Sequence, residues 1–191
     1  MSGTVDERIP VMADPALLAT IETRAQTCRA CPCAWSRRRV VIYRGVPEPH
    51  ILFVGQSPGE REDELGLPFV GPSGALLDEA LITHRIGSYG IINIINCHPP
   101  LNDYQAPYGE ACRPFFVDKL KVFLPTAEHL VSVGRDAQMA LVEVRMTHPG
   151  LFKDVKLHHI IHPSAVLRDR GRQSSWDADW AKLDAEINGD R

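Results

Sequence analysis

The sequence predicts an α/β fold in which helices cover both faces of a central sheet, a three-layer α/β/α arrangement around four parallel strands. Three observations lead to this prediction. Four short runs are largely apolar, as in strands that are buried on both faces. Segments with apolar residues at helical spacing separate these runs. The chain has 191 residues, 44% of them hydrophobic, which is enough for the core of one domain over residues 1–191.

The N-terminal part of the chain is predicted to contain an arm and one helix. Residues 1–13 have few apolar anchors and are expected to form a flexible arm. Asp14 is the predicted N-cap of the first helix, because its carboxylate can accept hydrogen bonds from free backbone N–H groups. Pro15 fits the first helical position, and the helix is expected to continue through residues 16–26.

Strands and helices then alternate along the chain. The four strands of the parallel sheet are predicted at 51–55, 91–95, 129–133 and 157–161, and a further short strand at 40–43. Ser73 is the predicted cap of one helix, and other helices are predicted over about 110–123, 136–142 and 176–187. Ligands bind beyond the carboxyl ends of such strands, so the chemistry is expected in segments 56–62, 93–102 and 162–170.

Composition and charge exclude several classes of protein. No apolar run is long enough to cross a bilayer, so a transmembrane protein and a membrane partner are not expected. The first ten residues lack the basic-then-apolar layout of a secretory signal, which predicts a cytoplasmic location. The formal net charge of -3 argues against binding nucleic acid through bulk positive charge, but it allows a local basic groove.

The chain contains five cysteines in two separated groups. Cys28 and Cys31 form a C-x-x-C pair with Cys33 close behind, whereas Cys97 and Cys112 lie far down the chain. Without an export signal, a disulfide framework is not expected. Inert buried cysteines are one alternative, but four thiolates in two groups predict a zinc ion or an iron–sulfur cluster. Spacing leaves that choice open, and Cys33 is the predicted spare residue because Cys31 completes the tighter pair.

Five motifs follow one another along the chain: G-Q-S-P-G (55–59), G-L-P-F-V-G-P-S-G (66–74), I-N-C-H-P-P-L-N (95–102), E-A-C-R-P (110–114) and H-P-S-A-V-L-R (162–168). Together and in this order they resemble the type 4 uracil-DNA glycosylases, over about residues 28–180. The resemblance implies a uracil-DNA glycosylase-like fold. It also implies a 4Fe-4S cluster, whose ligands would be Cys28, Cys31, Cys97 and Cys112.

The activity that the resemblance implies is that of a monofunctional DNA glycosylase. Such an enzyme flips uracil, or a related modified pyrimidine, out of single- or double-stranded DNA. It then hydrolyses the N-glycosidic bond and leaves an abasic site for base excision repair. The resemblance also implies a monomer and a bacterial, archaeal or phage-encoded source.

The resemblance assigns residues to the base pocket. Phe69 matches the aromatic residue that stacks on the flipped uracil, and Asn93 matches the amide that pairs with its edge. His162 matches the donor to the uracil O2 atom, where the charge of the leaving group accumulates. Gln56 and Ser57 complete the substrate loop. As isolated residues, a Phe, an Asn or a His in these places would more often be structural.

A second set of residues matches the DNA-binding surface. Leu167 corresponds to the wedge that fills the gap left by the flipped base. Arg168 and Arg170 are expected to contact phosphates, although solvated arginines are the common alternative. Ser73 and Ser164, near helix starts, are further candidates for phosphate contacts.

The first motif departs from the family at Gln56, where type 4 enzymes typically have a glutamate. Type 1 enzymes have an aspartate where this chain has Ser57. An amide can hold a water molecule but is not a useful base. The predicted catalytic residues are Gln56, His162 and Glu62. Glu62 stands where the family often has a second acidic residue, and a solvated acidic loop is the alternative for it. Replacing Gln56 by Glu is expected to raise uracil excision.

Alternatives to an active uracil-DNA glycosylase remain open. The chain can instead be a catalytically weak or inactive DNA-binding protein that acts in recognition or as a replication or repair accessory; a zinc-binding structural protein is a third possibility. Gly59 stands where type 1 enzymes have a tyrosine that excludes the thymine methyl group. A 5-substituted uracil is therefore an alternative substrate.

Overall fold

The computed structural model describes residues 15–189, so the predicted arm at 1–13 and the predicted cap Asp14 lie outside the described residues. Within this range the chain forms strands and helices in an alternating order. Its elements are α1 (Pro15–Thr27), α2 (Cys33–Ser36), β1 (Arg44–Gly45), β2 (Ile51–Gly55), α3 (Glu60–Leu65), α4 (Pro72–Thr83), β3 (Tyr89–Asn93), α5 (Ala106–Phe123), β4 (His129–Val133), α6 (Arg135–Thr147), β5 (Lys156–Ile160), α7 (Pro163–Arg168) and α8 (Gln173–Asn188). Short 3-10 turns cover Pro100–Asn102, Pro149–Phe152 and Arg170–Arg172.

The sheet confirms the predicted α/β class. Its strand order is β1-β3-β2-β4-β5, and the pairs β2–β3, β2–β4 and β4–β5 are parallel. A two-residue strand, β1, adds one antiparallel edge next to β3. The carboxyl ends of four parallel strands therefore meet at one edge of the sheet, where the polar motifs follow them.

The strand predicted at 40–43 is wrong. These residues form no strand, and the short strand β1 begins only at Arg44. Val41 and Ile42 are apolar residues that are buried in the core. The Val41 N–H donates to the Asn96 carbonyl instead of joining the sheet. Burial alone therefore produced the apolar pattern that resembles a strand.

Other elements also differ from the prediction, several of them by a few residues at their ends. β3 ends at Asn93, although the N–H groups of Ile94 and Ile95 still donate to the carbonyls of Gly55 and Gln56, at the end of β2 and just after it. Helix α4 begins at Pro72 with Gly71 as its N-cap, so Ser73 lies in the first turn and is not the cap. Helix α3 was not predicted, although the acidic residues of its first turn suit a helix N-terminus.

Two apolar layers cover the sheet. Leu52 and Val54 face the layer formed with α1, α5 and α6, whereas Ile51 and Phe53 face the layer formed with α4 and α8. This alternation follows from the two-residue period of a strand. No helix within residues 15–189 is long and apolar enough to cross a membrane.

Candidate functional site

A cavity of about 460 Å³ lies beyond the carboxyl ends of β2, β4 and β5. Four of the five residues predicted for the base pocket line it, whereas Asn93 does not. Of the residues predicted for DNA contact, Ser73, Ser164 and Arg168 line it. Its walls include Gln56, Ser57, Glu62, Phe69, Ser73, Asp136, His162, Ser164 and Arg168. They come from segments far apart in sequence, which the parallel topology places side by side.

Asn93 ends β3 and is almost fully buried, at 1% exposure. Neither its amide nitrogen nor its amide oxygen has a hydrogen-bond partner within the described range 15–189. Leaving such a group buried without a partner is costly, on the order of 1–3 kcal/mol. An amide in this state is suited to a ligand that offers a donor and an acceptor side by side.

Phe69 lies directly beside this amide. A Cβ atom added at Gly55 would contact the Asn93 amide oxygen and would come within 2.5 Å of the Phe69 ring. The φ angle of Phe69 is 53°, a left-handed conformation that is strained for a residue with a side chain. A Cβ atom at Gly74 would collide with the Phe69 carbonyl, so glycine in the first turn of α4 permits this conformation.

His162 caps the N-terminus of α7 and also faces the cavity. Its Nδ1 atom accepts a hydrogen bond from the Ser164 N–H at 3.1 Å. A neutral imidazole with a lone pair on Nδ1 carries its proton on Nε2, which leaves an Nε2–H donor. Burial, followed by the positive charge of Arg168, lowers the pKa of His162 to about 4. The ring lies 5.6 Å from that of Phe69, measured between centroids.

Glu62, for which the sequence predicts a catalytic role, is held by the backbone. One carboxylate oxygen accepts from the N–H groups of Val70 and Gly71, both at 2.8 Å, and the other accepts from the Gly59 N–H at 3.1 Å. The same carboxylate lies 2.6 Å from the position of a Cβ atom at Gly59, so it fills the space that the glycine leaves. Glu62 therefore joins two loops of the cavity wall.

Asp136 is a residue of the cavity that the sequence did not single out. It is the second residue of α6, directly after β4, and its carboxylate accepts a hydrogen bond from the Gln56 side-chain amide. The signal in the sequence was its place after a parallel strand. A single acidic residue in the first turn of a helix is common because it interacts favourably with the helix dipole. Asp136 is therefore not recognisable as a site residue from the sequence.

The segment predicted as a DNA-contacting loop is the short helix α7 with the turn that follows it. Leu167 lies on its surface and is 42% exposed. Arg168 and Arg170 are also exposed, and Arg168 reaches the cavity wall. The structure thus brings Arg168 to the cavity wall, whereas Leu167 and Arg170 lie exposed on the same segment outside the cavity lining.

Four of the five cysteines line a second, small apolar cavity between the end of α1, the segment after β3, and α5: Cys28, Cys31, Cys97 and Cys112. Cys33 does not line it and is fully buried in the core. Burial raises the pKa of Cys112 to about 11, so a group that binds there must displace the proton. The Arg37 guanidinium donates to the Cys97 sulfur at 3.3 Å.

Lys119 connects this cysteine cavity to the end of β3. Its side chain is fully buried, and its ammonium donates to the Asn93 carbonyl at 2.6 Å and to the Asn96 side chain. Burial lowers the pKa of Lys119 to about 8, while the nearby thiols of Cys112 and Cys97 favour its charged form. A buried cation beside the cysteines suits a bound group with net negative charge.

Comparison with known proteins gives consistent matches. The family model described as "Uracil DNA glycosylase superfamily" matches residues 42–184. The chain is 32% identical to the type-4 uracil-DNA glycosylase of Thermotoga maritima over 168 residues, which cover 82% of this chain and 86% of that protein. It is 31% identical to the type-4 uracil-DNA glycosylase of Pyrobaculum aerophilum over 175 residues, 82% of this chain and 87% of that protein. The protein of the same name from Archaeoglobus fulgidus is 31% identical over 183 residues, 87% of this chain and 91% of that protein.

Proposed function

The chain belongs to the uracil DNA glycosylase superfamily and, within it, to the type-4 uracil-DNA glycosylases. From this premise we propose that it removes uracil from DNA by hydrolysing the N-glycosidic bond and leaves an abasic site for base excision repair. The observation that carries the proposal is the buried amide of Asn93, which has no partner within residues 15–189 and lies beside Phe69.

Asn93 is proposed to select the base. Its amide can donate to the uracil O4 atom and accept from N3–H, whereas cytosine presents the opposite pattern at these atoms. Phe69 offers its ring for stacking on the flipped base. His162 donates from Nε2 to the uracil O2 atom, where negative charge accumulates as the base departs. The hydrogen bond from the Ser164 N–H to Nδ1 supports this choice of tautomer.

Asp136 is proposed to supply the carboxylate that the first motif lacks. Within the described residues, the cavity walls contain two carboxylates, Glu62 and Asp136. Glu62 uses both oxygens for backbone N–H groups, whereas Asp136 accepts one hydrogen bond, from Gln56. Its other oxygen is available for a water molecule. Gln56 then acts as a positioning residue that orients Asp136.

The reaction can be written with these groups. The C1′–N1 bond breaks with its electron pair moving to the base, whose O2 atom is stabilised by the His162 Nε2–H. Positive charge develops on the sugar and is stabilised by the Asp136 carboxylate. A water oxygen bonds to C1′, and its proton passes to Asp136. The uracil anion then takes up a proton and Asp136 gives its proton to solvent, so the products are free uracil and an abasic site.

The rim residues are proposed to hold the DNA. Leu167 is the proposed wedge, and its exposure at the end of α7 supports this role. Arg168 and Arg170 contact phosphates on either side of the flipped nucleotide. The first turn of α4 at Ser73 and the hydroxyl group of Ser57 add polar contacts to the backbone. One chain supplies all these residues, and we propose a monomer.

The four cysteines of the second cavity are proposed to hold a 4Fe-4S cluster, with Cys33 as the spare residue. Four thiolates around one zinc ion would lie about 3.8 Å apart, given Zn–S bonds of about 2.3 Å. Within residues 15–189, the one group with three ligand atoms within 4.8 Å of one another contains no cysteine. The wider spacing of the thiols favours a cluster, and Lys119 and Arg37 offer positive groups to it. The proposed role of the cluster is structural, because its ligands join α1 and α5 to the segment after β3.

The cofactor proposal predicts a brown protein with about four iron atoms per chain. Replacing Cys112 by Ser is expected to remove the visible absorbance and the iron, and to lower the melting temperature. Cys33→Ser is the matched control, and it is expected to leave the iron content unchanged. Zinc in place of iron, or equal iron loss in the two variants, would contradict the assignment.

Replacing Gly55 by Ala is expected to lower uracil excision at least 100-fold while the fold is kept. The added methyl group would enter the space between the Asn93 amide and the Phe69 ring, where the edge of the base would bind. Gly87→Ala is the matched control, because a Cβ atom there meets nothing within 4 Å. Single-turnover kinetics and thermal unfolding would measure the two effects. Unchanged excision by Gly55→Ala would contradict the proposed pocket.

The low pKa of His162 predicts a pH-dependent stability. The unfolded chain binds a proton at the ordinary histidine pKa of about 6.5, whereas the folded chain does so at about 4. Between these values the unfolded state binds more protons, so the free energy of unfolding falls as the pH is lowered from about 6.5 to 4. The whole shift corresponds to about 3 kcal/mol. Chemical denaturation of the wild type and of His162→Leu at several pH values measures this contribution as the difference between their free energies of unfolding. The same pH dependence of unfolding in both proteins would refute the prediction.

The experiment that tests the function uses an oligonucleotide with one uracil. Incubation with the cluster-loaded protein, followed by alkaline cleavage of abasic sites, is expected to yield a cut strand. The yield should depend on Asn93 and His162. The same strand with cytosine, thymine or a 5-substituted uracil tests the space at Gly59, which Glu62 occupies. Binding of the uracil strand without cleavage would instead support the accessory role.

A further inference from the structure

Two histidines and a glutamate, side chains of types that can bind metal ions, lie close together at the end of the sheet opposite to the cavity. His50 precedes β2, and Glu128 and His129 lie at the start of β4. Each offers one ligand atom, and the three atoms lie within 4.8 Å of one another. The His50 Nδ1 atom is 3.4 Å from a Glu128 carboxylate oxygen, and the rings of His50 and His129 meet edge to face at 5.4 Å between centroids.

The main chain holds the three residues in this arrangement. The N–H groups of Glu128 and His129 both donate to the His50 carbonyl, at 2.9 and 3.2 Å. The next residue, Ile51, is the register partner of His129 in the parallel pair β2–β4. The separation of the ligands is therefore fixed by backbone hydrogen bonds, which reduces the cost of assembling a site.

A relay of hydrogen bonds determines which nitrogen of His129 carries a proton. The His158 Nδ1 atom lies 3.2 Å from a carboxylate oxygen of Glu186, and its Nε2 atom lies 2.9 Å from the Nδ1 atom of His129. The carboxylate can only accept, so neutral His158 is protonated on Nδ1 and accepts at Nε2. His129 must then donate from Nδ1, and its Nε2 atom keeps a lone pair.

An imidazole with one nitrogen donating to such a relay is the usual form of a metal-bound histidine. In this relay Glu186 is the carboxylate at the outer end. The side chain of His158, between Glu186 and His129, is buried at 6% exposure. The side chain of Glu128 is exposed, which leaves the group accessible to ions from solvent. Two imidazoles and one carboxylate suit zinc and similar transition metals better than magnesium or calcium, which prefer oxygen ligands.

We propose that His50, Glu128 and His129 bind a Zn²⁺ ion, with His158 and Glu186 as outer partners that orient His129. Three protein ligands leave the fourth position of the tetrahedron to water. The ion joins the segment before β2 to the start of β4, and through His158 to β5. Zinc binding therefore stabilises the sheet at the end opposite to the cavity. The site shares no residue with the cysteine cavity and does not depend on the proposed glycosylase activity.

The test is a zinc titration of the cluster-loaded protein by isothermal calorimetry, with metal content measured after gel filtration. One zinc per chain is expected in addition to the iron, with a rise in melting temperature. Glu128→Gln and His50→Gln, at accessible positions, should weaken zinc binding at least tenfold. Glu186→Gln should weaken it about ten- to 100-fold through the relay. His148→Gln, an exposed histidine outside the group, is the control and should change nothing.

Two results would overturn the proposal. The first is zinc affinity that is equal in the wild type, Glu128→Gln and Glu186→Gln, because the ion would then bind elsewhere. The second is no zinc binding at micromolar concentrations by a protein whose fold and iron content are intact. A loss on Glu128→Gln without any loss on Glu186→Gln would refute the relay.

Discussion

Replacing Asp136 by Asn is expected to lower the rate of uracil excision by about 10² to 10⁴-fold, the usual contribution of a catalytic base. The change keeps the size of the side chain and removes the charge that faces the sugar. Single-turnover rates on a uracil oligonucleotide would measure the effect, and fluorescence anisotropy would show that DNA affinity is kept. Asp154→Asn, which removes one exposed negative charge elsewhere, is the control.

The contact between Gln56 and Asp136 allows a sharper version of this experiment. Gln56→Glu alone would bring two carboxylates into contact, so one would be protonated or both would separate. The rise in excision expected from the sequence alone therefore becomes an expected fall. The double change Gln56→Glu/Asp136→Asn restores one carboxylate and one amide with exchanged positions. Its rate should exceed those of both single variants; a double variant no faster than Asp136→Asn would contradict the shared role.

Replacing His162 by Leu is expected to lower uracil excision by about 10² to 10³-fold, because a donor at the developing negative charge is lost. The loss should depend on the leaving group. Fluorine at C5 withdraws electrons and stabilises the departing base, so excision of 5-fluorouracil should fall much less. Single-turnover rates for both bases, in wild type and variant, give this comparison. Equal losses for the two bases would mean that His162 acts on folding or binding instead.

The sequence was sufficient for elements whose boundaries are set by local chemistry. Both β2 and β4 were predicted with the bounds observed, since each is a largely apolar run of five residues that ends at a glycine or just before one. The failure at 40–43 has a physical reason, because Val41 and Ile42 are buried without pairing in the sheet. Periodicity reports burial, and burial does not require a strand.

The site was predicted in part, and the limit lies in long-range contacts. The places of Phe69 and His162 in one cavity follow from parallel topology and the motifs. The hydrogen-bond partners of Gln56 and Glu62 do not follow from the sequence. Asp136, the partner of Gln56, lies 80 residues away in the chain. Glu62 accepts hydrogen bonds from backbone N–H groups, which no pattern of side chains reveals. Contacts between side chains and distant backbone depend on the tertiary fold, which local spacing does not specify.

The central claim is that this protein binds a flipped uracil, recognises the edge of the base through hydrogen bonds to Asn93, and hydrolyses the glycosidic bond. The most direct measurement is single-turnover release of free uracil from a labelled oligonucleotide, by wild type and Asn93→Ala purified with equal iron content. We predict release by the wild type, with no release from an oligonucleotide that has cytosine in place of uracil. The rate of Asn93→Ala should be at least 100-fold lower. Tight binding of the uracil strand without release of uracil, or equal release by both proteins, would contradict the claim.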